Sequence, residues 1–179
     1  MSRLYLIGGP PAVGKSTVLV HLQRKLERCA CLDADEVWRV KPFDVAEPYG
    51  ALFGRNVNAV LRGYLEARLP LVFVSWVFAN PELVKRVTDG MGGRYHSLRI
   101  VYLVASPQAL AARHRADPER ARLLDYGLGK LAEIQALPEP KIDTTGLAPE
   151  AVADRLIELL GLSEFAPDDR PMEKRRSSP

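Results

Sequence analysis

Two cysteines, Cys29 and Cys31, are all the thiol chemistry that the 179 residues offer. A disulfide-stapled scaffold is thereby excluded, and two sulfurs with no histidine beside them make a poor metal site. They alternate along an apolar run, so both point to one side of an expected strand and read as free thiols of a reducing cytosol. The three histidines, His21, His96 and His114, are scattered with no ligand spacing, and surface positions are expected for them. Every long apolar segment is interrupted by polar residues before it reaches the ~20 residues of a membrane span, and no leader pattern opens the chain. A cytoplasmic protein without a membrane partner is expected. Strong charge is missing as well: the net charge of +3 is spread over both signs. That balance suits a small anionic substrate and asks for no nucleic acid. There is no internal repeat, and the length is that of one domain.

What the chain does have is Gly9-Pro10-Pro11-Ala12-Val13-Gly14-Lys15-Ser16, directly after the apolar run Leu4-Tyr5-Leu6-Ile7 and directly before a helical pattern. This is a complete phosphate-binding loop. Glycines let the backbone curl so that successive N–H groups converge on phosphates, and the following helix adds its positive end. Lys15 is placed to bridge the terminal phosphates, Ser16 to ligate magnesium, and Thr17 follows them. The expectation is a bound nucleoside triphosphate, ATP with Mg2+; the alternative is a Gly/Pro-rich turn with a chance Lys-Ser.

Further apolar runs at 29–32, Leu71–Ser75, 98–104 and Lys141–Asp143 alternate with helical patterns, which predicts an α/β fold with a parallel sheet covered on both faces. The first helix shows Val18, Leu19, Leu22 and Leu26 at helical spacing. Asn80-Pro81 and Ser106-Pro107 are helix starts, and Gly161 closes a last helix from Pro149. A longer segment, about 36–69, carries a predicted helix over 49–68 and is placed to hold a second substrate beyond the strand ends. Its Trp38, Arg39, Lys41, Phe43, Arg55 and Asn56 mix aromatic and cationic groups; they form an acceptor pocket or simply close a small helical subdomain. Trp76 reads as packing. From Ser163 onward, 163–179, the composition predicts a disordered tail after a domain over 1–162.

The second strand ends in Leu32-Asp33-Ala34-Asp35. Alternation points the carboxylates to different sides, with Asp33 toward the metal and Asp35 toward an acceptor hydroxyl as base, or the roles exchanged. The competing reading is a helix cap and first-turn acid. Arg113, Arg115, Arg120 and Arg122 surround the Asp117-Pro118 break. They read as a lid over about 113–123 that neutralises the moving phosphoryl group, Arg113 and Arg120 foremost, or as a solvated helix face.

With the loop at Gly9 to Ser16 and the Asp33-Ala34-Asp35 strand end, the chain resembles the small P-loop kinases: shikimate, gluconate, adenylylsulfate and chloramphenicol kinases. The resemblance spans about 3–161. It also includes Val101-Tyr102-Leu103-Val104 before an Arg-bearing helix, and Ile142-Asp143-Thr144-Thr145-Gly146 before Pro149-Glu150. It implies a three-layer P-loop NTPase fold with a five-stranded parallel sheet, a small helical substrate insertion and a short lid. It further implies an ATP-dependent, magnesium-dependent phosphotransferase acting on a small-molecule acceptor (nucleoside, nucleotide, sugar acid or antibiotic), with Thr145 and its neighbours beside the adenine. The chain departs from many such kinases at the third strand's end, where Ser75 stands in place of an acid. Two other classes remain: a nucleotide hydrolase, against which the absence of Asn-Lys-x-Asp speaks, and a nucleotide-binding regulatory module, which Ser75 favours.

Overall fold

The computed structural model describes residues 1–41 and 48–167. Five parallel strands form one sheet in the order β2-β3-β1-β4-β5. They are β1 (Ser2–Gly8), β2 (Cys29–Asp33), β3 (Leu71–Ser75), β4 (Tyr95–Val104) and β5 (Lys141–Asp143). β1, the first strand in sequence, is the central one. It pairs with β3 from Arg3 opposite Leu71 to Ile7 opposite Ser75 and with β4 on its other side. The expected five-stranded parallel α/β sheet is what the chain forms.

The two faces explain why β1 is apolar from Leu4 to Ile7. Tyr5 and Ile7 pack with Phe73 and Leu103 against α1 (Lys15–Lys25) and α7 (Pro149–Leu160). Leu4 and Leu6 pack with Val72, Val74 and Tyr102 against α2 (Tyr49–Glu66). A strand covered on both sides has no polar face to present. Cys29 and Cys31 both lie against the α1 face, as alternation requires, and both are free.

Helix starts follow local chemistry. Asn80 accepts from the Leu83 N–H at 3.0 Å and opens α3 (Pro81–Thr88); Ser106 accepts from Ala109 at 3.2 Å and opens α4 (Pro107–Arg115). Such caps satisfy N–H groups that the helix itself leaves unpaired. Asp117 caps the single turn α5 (Pro118–Ala121), and α6 (Leu124–Gln135) follows.

Three sequence expectations are corrected. The tail does not begin at Ser163: Ser163–Phe165 is a 3-10 turn, its Phe165 carbonyl accepts from Glu27 at 2.8 Å, and the Arg3 guanidinium sits 5.2 Å over the Phe165 ring. Beyond residue 167 the tail lies outside the described residues, as does Phe43. His114 is not on the surface but fully buried. β2 ends at Asp33, and Ala34–Val37 is a 3-10 turn, so strand alternation does not govern where Asp35 points. Among the described residues no helix is long and apolar enough to cross a membrane.

Candidate active site

The loop from Gly9 to Ser16 joins β1 to α1 at the carboxyl end of the central strand. Here the strand order runs away in both directions, which opens a crevice. Gly9 admits no side chain: a Cβ there would lie 2.8 Å from the Leu103 carbonyl oxygen and from Val13 Cγ1. Gly14, at φ 108°, occupies the left-handed region that favours glycine. Lys15 Nζ donates to the Gly9 and Pro10 carbonyls at 2.8 and 2.9 Å. Burial lowers its pKa to about 8, against the pull of Asp35 and Asp33 and with a small push from Arg120.

Ser16 Oγ donates to Asp33 Oδ2, while Asp33 Oδ1 accepts from the Asp35 N–H at 3.3 Å. Asp33 thus holds the loop serine and caps the 3-10 turn, as the competing reading of that residue expects. A hydroxyl and a carboxylate at the head of a phosphate loop are hard oxygen donors of the kind magnesium takes. The register sets Ser75 opposite Asp33. Ser75 is fully buried, and its Oγ has no hydrogen-bond partner among the described residues.

A cavity of about 650 Å³ opens beside the loop. Pro11, Ala12, Gly14, Lys15, Ser16 and Thr17 of the loop and the start of α1 line it, as do Asp35, Trp38, Trp76 and Arg86. Arg120, Leu123 and Tyr126, from α5 to α6, complete it. Asp35 reaches this space because the 3-10 turn carries it past the strand end, where Trp76 Nε1 donates to its Oδ1 at 3.1 Å. Burial and the Asp33 charge push the Asp35 carboxyl above its ordinary pKa, while Lys15 and the Trp76 bond pull the other way. Trp76 is therefore more than packing. Its ring lies 4.3 Å from that of Phe53 and meets Phe78 edge-on at 5.9 Å.

The remaining sequence candidates divide. Arg120 lines the cavity and pairs with Asp117 at 3.0 Å. Arg113 does not line it: its guanidinium donates to the Val13 carbonyl at 3.1 Å and to Thr144 Oγ1 and O at 2.9 and 2.8 Å. It ties the phosphate loop to the segment after β5. Thr145 Oγ1 accepts from the Ser106 N–H at 2.8 Å, joining that segment to α4. Of the described insertion residues only Trp38 lines the cavity. Arg39 pairs with Glu36 at 2.6 Å, Asn56 holds the Val37 carbonyl at 2.9 Å, and Lys41 and Arg55 are not part of the lining. Arg86 and Tyr126 were not anticipated; their places depend on how α3 and α6 pack, which no local motif announces.

A comparison with protein-family models finds none that matches, and one with curated proteins likewise finds none. Solved structures do match. The tunicamycin resistance protein of Deinococcus radiodurans is 21% identical with a TM-score of 0.70, over 94% of this chain and 100% of that one. A sugar kinase from Janibacter is 15% identical at a TM-score of 0.68, over 94% and 100%. Shikimate kinase from Acinetobacter baumannii, in complex with shikimate, is 20% identical at a TM-score of 0.56, over 89% and 93%. At these identities the likeness is one of fold, and the fold of this chain is that of the P-loop kinases.

Proposed function

We propose that the chain is a magnesium-dependent kinase that transfers the γ-phosphoryl group of ATP to a hydroxyl, or a phosphate, of a small-molecule acceptor. One observation carries this reading: the loop residues Gly14, Lys15, Ser16 and Thr17 and the Asp35 carboxylate line a single cavity, and no part of phosphate binding requires Asp35. The fold likeness to a sugar kinase and a shikimate kinase supports it.

The loop amides and Lys15 bind the triphosphate, Lys15 exchanging its carbonyl partners for phosphate oxygens. Ser16 and Asp33 would hold Mg2+, which when bound supplies positive charge at the terminal phosphates. Asp35 orients the acceptor hydroxyl and takes its proton as the acceptor oxygen bonds to the γ-phosphorus. The bond to the β–γ bridging oxygen breaks, and ADP leaves. Arg120 stabilises charge on the moving group. Arg113 is a positioning residue that fixes the loop through Val13, and Thr145 borders the adenine side. Such an enzyme works in the cytoplasm, where its two thiols stay reduced.

With Mg2+, ATP and a panel of nucleosides, sugar acids and other alcohols, ADP release is expected to require an acceptor. Release without one would make the protein a hydrolase; nucleotide binding without release would make it a regulatory module. Asp35→Asn is expected to lower acceptor-dependent turnover about a hundred- to ten-thousand-fold while ATP affinity stays nearly constant. Unchanged turnover would remove Asp35 from the mechanism.

A further inference from the structure

Both tryptophans of the chain, Trp38 and Trp76, line the one cavity described above. Each is only 7% exposed, so the rings are fixed by neighbours: Trp38 lies 4.7 Å from Phe53 and meets Trp76 edge-on at 6.5 Å. Val77, Leu83, Leu123 and Tyr126 extend the same apolar lining, and Leu123 and Tyr126 are exposed at its margin. Cations are few on this side. Arg120 is paired with Asp117, whereas Arg86 has no ion-pair partner among the described residues.

Resting on the kinase reading above, we infer that the acceptor is an alcohol carried on a flat, largely apolar ring, and that Trp76 positions the Asp35 carboxylate for its hydroxyl. A polyhydroxylated acid brings many polar groups, each of which needs a partner when water leaves, and this lining offers few. A planar ring instead matches aromatic walls by stacking and edge contacts. An anionic substituent on that ring is met by Arg86 at the margin.

The 3.1 Å bond from the Trp76 indole to Asp35 Oδ1 occupies one carboxylate oxygen and fixes the plane of the group. The other oxygen is then directed to the acceptor. A carboxylate free to rotate would present its lone pairs to the hydroxyl only part of the time, and turnover, more than acceptor binding, suffers from such looseness. Trp76 is accordingly a positioning residue, and the ring of the same side chain helps to form the compartment.

Two measurements on the full chain test this. In 15N-labelled protein the two indole N–H signals are told apart by Trp76→Phe. The Trp76 signal is expected downfield, moving upfield in Asp35→Ala while the Trp38 signal stays nearly in place; a Trp76 signal indifferent to Asp35→Ala overturns the positioning role. Tryptophan emission is then followed, with Mg2+ and a non-hydrolysable ATP analogue present, on adding thymidine, 4-(hydroxymethyl)benzoate, gluconate or glycerate. The ring-bearing probes are expected to quench emission and to bind about tenfold or more tightly than the two acids. Equal or tighter binding of gluconate or glycerate, or no binding of either ring probe, overturns the acceptor class. Calorimetry on the same protein separates the two failures: no uptake of magnesium–ATP sinks the kinase reading itself, whereas uptake without ring-probe binding sinks this inference alone.

Discussion

Lys15 is an amine taken out of water and left with two carbonyl oxygens as partners. Burial brings its pKa from 10.5 to about 8, which amounts to a cost on the order of 3 kcal/mol for keeping it charged in the nucleotide-free protein. The sign of the pH dependence follows. Between pH 8 and 10.5 the unfolded chain holds the proton that the folded chain has released, so this group adds stability as pH rises through that window. Phosphates beside Lys15 reverse the shift by favouring its charged form. At pH 8.5, nucleotide binding is therefore expected to take up protons and to weaken as pH rises further. Calorimetry in buffers of different ionisation enthalpy reads this directly; proton release, or no pH dependence between 7 and 9, would contradict it. Such a dependence is invisible in the motif, because the motif names the lysine and not its burial. The same holds for Trp76. Its bond to Asp35 spans 41 positions and exists because β2 and β3 pair in the register that sets Asp33 opposite Ser75.

The elements that follow β4 are tied to one another and to the loop after β1 by part-buried polar contacts. Arg113 on α4 reaches Val13, a separation of 100 residues, and Thr144 after β5. Arg113→Ala strands these acceptors and is expected to weaken nucleotide binding more than it changes the response to acceptor, a split between ATP and acceptor kinetics that steady-state assays resolve. Equal loss of both would argue for direct action on the moving phosphoryl group. On the far side of α4, His114 Nδ1 meets the Arg120 carbonyl at 2.8 Å, and α6 comes so close that a Cβ on Gly127 would lie 2.5 Å from His114 Nε2. Gly127→Ala is expected to cost about 1–3 kcal/mol by overpacking, measured as a shift in the denaturant midpoint, and to displace Arg120 from the cavity. A neutral Gly127→Ala would mean that α6 is free to shift. The strands and helix starts were legible in the sequence because apolar runs and Asn-Pro or Ser-Pro caps are local signals. The Arg113 clamp was not, since an arginine beside a proline break looks the same whether it faces water or a distant carbonyl.

At the scale of the whole molecule, the strand order makes β1 central, and the loop that leaves it opens where neighbouring strands depart in opposite directions. The site's location follows from topology before any side chain is considered. The glycine-rich loop after β1 is visible in the sequence as a local pattern, and so are Asp33 and Asp35 at the end of β2. The acceptor compartment was only partly so, because it is assembled from α2, α3 and α6 packing around the 3-10 turn. Binding to the folded chain alone stabilises it: magnesium–ATP at a hundred times its Kd contributes about 2.7 kcal/mol, expected to raise Tm by roughly 5–10 °C in a chain of this size. No shift in a thermal scan would mean that the loop does not hold the nucleotide. The most direct measurement follows the phosphorus itself. With protein, Mg2+, ATP and a protein-free pool of small hydroxylated metabolites, 31P spectra are predicted to show the γ signal reappearing as a phosphomonoester or phosphoanhydride of an acceptor, and Asp35→Asn to abolish that signal on the same timescale. A γ signal that becomes inorganic phosphate alone, or that persists unchanged, would contradict a kinase built around Asp35.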